Sequence, residues 1–221
     1  MSLGLIFSAF FADPASAQLF KPQRNGAPAT ARGGGARGAC PTDLAEAKPL
    51  IPVLPEAQAS PTISDRPALF VYVPEASVQR AFFSLEDESG QSVYQSKFEL
   101  PQDSGILKIT LPKTAPALEI GKRYLWSLVM ICGEELEPDS PMITGWMERQ
   151  QPLDGSTSAP VSLNQAAILG QAGLWYDMID VLAQLKQTQP DDSTILQVWR
   201  TELISAGLEE IVDQPFLDPG D

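Results

Sequence analysis

Between Arg66 and Gln150 apolar and polar positions alternate with a period of two, the pattern of strands with one buried face. Leu69, Val71 and Val73 share a face, with Phe70 and Tyr72 on the other. Ala81, Phe83 and Leu85 alternate in the same way with Phe82, Ser84 and Glu86. Glu88-Ser89-Gly90 is a turn, after which Tyr94, Ser96, Phe98 and Leu100 share a face. A second turn at 102–105 leads into Leu107, Ile109 and Leu111. Tyr124 to Cys132 is apolar on both faces, which marks a central strand, and Ile143 to Gln150 closes the set. Six strands with turn signals between them predict an antiparallel, immunoglobulin/fibronectin-like β-sandwich over residues 63–151.

Beyond Gln151 the period changes to that of helices. Ser162 with Gln165 fits a capping box. Leu174, Met178, Leu182 and Leu185 fall on one helix face, and Pro190 ends that helix. Asp192 or Ser193 can cap the next, which presents Ile195, Leu196, Trp199 and Leu203. Ala172-Gly173-Leu174 recurs as Ala206-Gly207-Leu208 at an offset of 34 residues, the tetratricopeptide period. Residues 162–216 therefore predict a short tetratricopeptide-like helical hairpin of about one and a half repeats. That is too few to stand alone, so the helices must pack on the sandwich or on a partner. The whole reads as a segregated α+β chain.

The N-terminal part has neither period. Leu3 to Phe11 is an apolar run of signal-peptide length, and Ala15-Ser16-Ala17 offers the small residues of a cleavage site. Residues 1–17 are thus expected to be a signal peptide, with Gln18 as the mature N-terminus. No basic residue precedes the apolar run, so the true start is expected upstream. Residues 18–62 read as a tether. Its Arg32–Gly38 stretch is glycine-rich and flexible, and Pro41, Pro49, Pro52, Pro55 and Pro61 favour an extended chain largely without ladder hydrogen bonds. Leu44, Leu50, Ile51, Val53 and Leu54 are apolar enough to lie along a sheet.

Charge and cysteines narrow the setting. The 221 residues carry a net charge of −13, with a basic first 40 residues and an acidic body. An acidic body repels phosphate backbones, which excludes nucleic acid as a partner. The two cysteines, Cys40 and Cys132, are expected to form one disulfide in an oxidising compartment. Closing a loop of about 90 residues contributes roughly 4 to 5 kcal/mol in the chain-entropy model. No later segment approaches transmembrane length, so no membrane span is expected after signal cleavage.

Two stretches carry resemblances. LEIGKRY, Leu118 to Tyr124, resembles the L-x-P-G-T-x-Y corner of fibronectin-type sandwiches, in which the tyrosine hydroxyl bonds back to upstream backbone. Ile120 replaces the proline, and the alternative is a tyrosine that simply packs at a strand start. More broadly, SDRPALFVYVP (64–74), FSLEDESGQSVYQ (83–95), LEIGKRYLWSLVMIC (118–132), GWMER (145–149) and AGLWYDMIDVLAQL (172–185) resemble the Domain of Unknown Function 928 family, found mainly in cyanobacteria. The resemblance runs from about Gly33 to Phe216. That family carries no established activity, so the resemblance implies architecture and export and no mechanism.

Catalytic patterns are scarce. With no histidine, the serine–histidine and cysteine–histidine nucleophile arrangements are absent, and so are zinc sites built on histidine. No phosphate-binding Gly-rich loop precedes a Lys-Ser or Lys-Thr. Carboxylate pairs remain at Glu86, Asp87 and Glu88 and at Glu134, Glu135, Glu137 and Asp139, both at turns where charge is usually solvated. No cofactor and no metal site is expected. The expected function is an exported, non-enzymatic envelope protein, periplasmic or extracellular, that binds another envelope protein as an adaptor. Trp175 and Tyr176 are the residues chosen for the contact surface, with a place in the core, under helices that only cover the sandwich, as the alternative. The alternative is a carbohydrate-binding or carboxylate-dependent carbohydrate-active envelope protein.

Overall fold

The central strand of the first sheet, β3 (Ala68–Val73), is buried at all six positions. A strand apolar on both faces needs cover on both sides, and that requirement shapes the molecule. The computed structural model describes residues 18–22, 49–55, 60–75, 80–138, 140–153 and 160–217. Nine strands occur among them. The six read from the alternation are β3, β4 (Arg80–Asp87), β5 (Ser92–Glu99), β6 (Gly105–Thr110), β7 (Arg123–Met130) and β8 (Met142–Arg149). Three short ones join them: β1 (Ile51–Pro52), β2 (Ser60–Thr62) and β9 (Phe216–Leu217).

The strands form two sheets, ordered β1-β3-β6-β9 and β2-β8-β7-β4-β5. Neighbours are antiparallel except β2 with β8 and β6 with β9. In the five-stranded sheet, Ala81, Phe83, Leu85, Tyr124, Trp126, Leu128, Met130, Ile143 and Met147 are all buried on the inward side. They belong to one hydrophobic cluster with β3, β6 and the helices, so sheets and helices share a single core.

β1 and β2 correct the tether reading over residues 49–55 and 60–62. Leu50, Ile51, Val53 and Leu54 are buried, β1 pairs with β3, and β2 pairs with β8. Pro52 and Pro61 sit on the outermost strands, where a missing N–H faces away from the ladder and blunts the edge. Farther upstream, Phe20 is also buried, its ring edge-on to Trp175 at 4.9 Å. Buried Glu202 accepts the N–H groups of Leu19 (2.5 Å) and Phe20 (3.1 Å). The expected signal peptide and Cys40 lie outside the described residues. Cys132 follows β7, half-buried, and is not a free thiol.

Three helices follow the strands: α1 (Leu163–Gln171), α2 (Trp175–Thr188) and α3 (Ser193–Ser205). The Ser162 hydroxyl caps α1 at Gln165 N–H, and Asp192 caps α3 at the N–H groups of Thr194 and Ile195. The repeated Ala-Gly-Leu is a helix stop used twice. Gly173 and Gly207 both take φ +74, and Leu174 and Leu208 donate back to the carbonyls of Leu169 and Leu203 at 3.0 and 2.9 Å. After the second stop come a 3₁₀ turn, Glu209–Ile211, and the short β9, where a second repeat would need a full helix.

Within Leu118–Tyr124 the tyrosine side chain bonds to backbone upstream of it. The Tyr124 hydroxyl accepts Glu119 N–H at 2.9 Å, and Gly121 turns the chain with φ +82. The helices cover the β3–β6 face that carries Phe70 and Lys108. Lys108 pairs with Asp180 of α2 at 2.6 Å, and Phe70 meets Phe216, which in turn meets Trp199 of α3.

Candidate functional site

Trp175 and Tyr176 are core residues, 0% and 3% exposed, which corrects their assignment to a contact surface. They open α2 directly after the Gly173 stop, and the first turn drives both rings inward. Trp175 Nε1–H donates to the Val53 carbonyl at 2.8 Å. The Tyr176 hydroxyl donates to the Trp146 carbonyl (3.2 Å) and accepts from Trp126 Nε1–H (2.9 Å). With every polar atom answered inside the chain, both rings bind sheet to helix. Burial pushes the Tyr176 hydroxyl far above the usual phenol range.

The next residue, Asp177, opens onto a cleft of about 480 Å³ at the seam between the sheets and the helices. Its wall takes Ile63 and Asp65 from the loop after β2, Arg149 from the end of β8, Gln165 and Leu169 from α1, and Asp177, Asp180, Val181 and Gln184 from α2. The Asp177 carboxylate accepts Ile63 N–H (3.1 Å) and the Thr62 hydroxyl (3.3 Å). Desolvation outweighs those bonds and lifts its pKa to about 6, with nearby Asp180 adding to the rise. Asp180 itself is held by Lys108 and by the Gln184 amide at 3.0 Å. Arg149 is 8% exposed; its Nε–H donates to the Gln150 carbonyl, and its Nη1 is buried without a partner among the described residues.

A second candidate surface is the outward face of the five-stranded sheet, which the helices leave uncovered. Register sets its rows. Phe82, Val129 and Met142 lie side by side; Ser84, Ser127 and Thr144 come next; then Glu86, Leu125 and Trp146. Phe82, Leu125, Val129 and Trp146 are half-buried, and Met142 is exposed. The Ser84 and Ser127 hydroxyls bond at 2.7 Å, and Arg123 pairs with Glu148 at 3.1 Å.

Of the carboxylate clusters only Glu86 reaches either surface, in the outward row with Leu125 and Trp146. Asp87 closes the turn after β4, accepting from Ser89 N–H, Ser89 Oγ and Gln91 N–H, and those bonds hold its pKa below the usual range. Glu134, Glu135 and Glu137 are exposed on the loop after β7, and Asp139 lies outside the described residues. Arg149, Asp177 and Glu202 are the groups that sequence reasoning passed over. Arg149 has the inward parity of Ile143, Gly145 and Met147, and Glu202 sits on the Ile195–Trp199–Leu203 stripe. A charge on an apolar stripe was the available signal.

These features define a two-sheet protein with mostly antiparallel strands, closed on one side by three helices and lacking an assembled catalytic group among the described residues. The chain belongs to the Domain of Unknown Function (DUF928) family, whose model matches residues 32–216. Among curated proteins none matches it. Among solved structures it is similar to the crystal structure of Parabacteroides merdae β-glucuronidase with glycerol in the active site. The identity is 15% and the TM-score 0.27, over 47% of this chain and 13% of the enzyme, a likeness that carries no functional argument.

Proposed function

We propose that this protein is an exported, non-enzymatic envelope protein acting as a protein-interaction module, with the face of the five-stranded sheet that the three helices leave open as its contact surface. The observation that carries the reading is the apolar patch of Phe82, Leu125, Val129, Met142 and Trp146 on that face. Half-exposed aromatic and Met side chains on a rigid sheet are the composition of interface centres. Export is supported by the apolar run and small-residue site at the N-terminus, and in that compartment Cys40 and Cys132 pair as a disulfide. The LEIGKRY corner supports a fibronectin-like sandwich, and the twice-used helix stop supports a degenerate tetratricopeptide-like cover.

Crosslinking in the native envelope, followed by purification of the tagged chain and mass spectrometry, tests this. The expected result is a reproducible protein adduct that disappears in a Phe82→Ser, Trp146→Ser double variant that still folds. Trp146 also offers a flat ring on which a sugar could stack. A clean monomer whose tryptophan fluorescence responds to cell-wall glycans replaces the adaptor reading with the carbohydrate-binding one.

A further inference from the structure

The seam cleft holds one cation that has no ion-pair partner among the described residues. Its acids are satisfied from within: Asp180 by Lys108 and Gln184, Asp177 by Ile63 N–H and the Thr62 hydroxyl, and Asp65 by Arg66 at 3.2 Å. Arg149 is different. It is more than nine-tenths buried and lines the cleft, yet among the described residues it joins no ion pair and its Nη1 has no hydrogen-bond acceptor. A buried guanidinium without a counter-charge is costly, and its planar fork of donors matches one carboxylate. Around it the wall is apolar at Ile63, Val161, Leu169 and Val181.

We propose that this cleft binds a small monocarboxylate with an apolar body, its carboxylate on Arg149 and its chain along Ile63, Leu169 and Val181. One negative charge is what Arg149 balances. A phosphate dianion would bring a second charge against Asp177 and Asp180 on the same wall. The site is separate from the sheet face, so it stands whether or not that face binds a partner.

Either a free aliphatic acid or the C-terminus of a peptide offers this chemistry. The test titrates the full chain, labelled with ¹⁵N at arginine, with hexanoate and with acetyl-Ala-Leu as free acid and as amide. Hexanol is the uncharged control. The expected result is a saturable shift of the Arg149 Nε–H resonance with hexanoate or the free-acid peptide, and none with hexanol or the amide. The tighter of the two acids names the source. Arg149→Met should weaken binding at least about tenfold, the weight of one charge-assisted hydrogen bond. Val161→Trp keeps the guanidinium and narrows the mouth of the cleft from an exposed position, so it should weaken binding even if Arg149→Met fails to fold. Hexanol binding as tightly as hexanoate overturns the proposal, as does acid binding that neither variant weakens, or no acid binding to the folded protein at millimolar concentration.

Discussion

The two sheets solve the same problem in opposite ways. The four-stranded sheet is apolar on both sides of β3, so one side faces the shared core and the other is covered by α2 and α3. The five-stranded sheet alternates, burying Trp126, Leu128 and Met147 inward while Phe82, Ser84, Leu125 and Trp146 look outward without helical cover. The helical segment is therefore cover for the first sheet, and the contact surface is left on the second. This also explains why Trp175 and Tyr176, the obvious aromatic pair, serve the core: they are the bolts of the cover.

The comparison is tested most severely by its tryptophans. Trp126 is fully buried and bonded to Tyr176, whereas Trp146 is half-buried on the open face, one strand away. Trp126→Ala should cost about 3 to 5 kcal/mol in urea unfolding. Trp146→Ala should cost about 1 kcal/mol. Equal losses would mean that the outward face is covered in solution, and the contrast between the sheets would collapse.

The seam between sheet and cover should respond to pH through Asp177. Its folded pKa of about 6 lies above the ordinary 3.8, so between those values the folded state holds the proton more tightly than the unfolded chain. Stability is accordingly highest below about pH 4 on this account and falls as pH rises to about 6, by about 3 kcal/mol in total. Glu202 shifts in the same direction, so the group must be isolated by substitution. Asp177→Asn keeps an oxygen to accept Ile63 N–H and cannot ionise. The variant should match the wild type near pH 4 and exceed it above pH 7, read as denaturation midpoints across the range. Parallel profiles would show that burial does not penalise this carboxylate.

Backbone approach gives a third contrast, of intermediate size. A Cβ on Gly145 would meet Leu54 Cδ1 and the Trp126 ring at 2.6 Å, so Gly145→Ala overpacks the inward face at about 1 to 3 kcal/mol. Its neighbour Thr144 points outward beside Ser127, and Thr144→Val should change stability by about 0.5 kcal/mol or less. Thermal melting of the two variants checks the pair.

Most of this architecture was legible because it is written in periods. All six strands appear where alternation put them, and Ser162, Asp192 and the region before Pro190 bound the helices as their capping chemistry requires. The tyrosine hydroxyl of LEIGKRY reaches upstream backbone at Glu119. What failed was pairing that has no period. Two- and three-residue strands around Pro52 and Pro61 are defined by the sheet edge they meet, and local sequence cannot name that edge. The cleft was illegible for a similar reason. Arg149 and Asp177 are 28 residues apart, brought together only when α2 closes over the seam, although the inward parity of Arg149 hinted that its charge was out of place.

The smallest expected effect concerns the ion pairs, one on each sheet. Lys108–Asp180 (2.6 Å) ties the covered sheet to α2, and Arg123–Glu148 (3.1 Å) crosses two strands of the open face. All four side chains keep between 28% and 41% of their exposure, so neither pair escapes solvent screening. Double-mutant cycles should return about 0.2 to 1 kcal/mol for each. The covered pair should be the stronger, because Lys108 also sits 5.7 Å from the Phe70 ring centroid and Asp180 is steadied by Gln184. Raising salt should weaken the open-face pair more, since ions reach it from one whole side. If the Arg123–Glu148 coupling proves larger and insensitive to salt, that face is shielded in solution, and the surface assigned to a partner is already occupied.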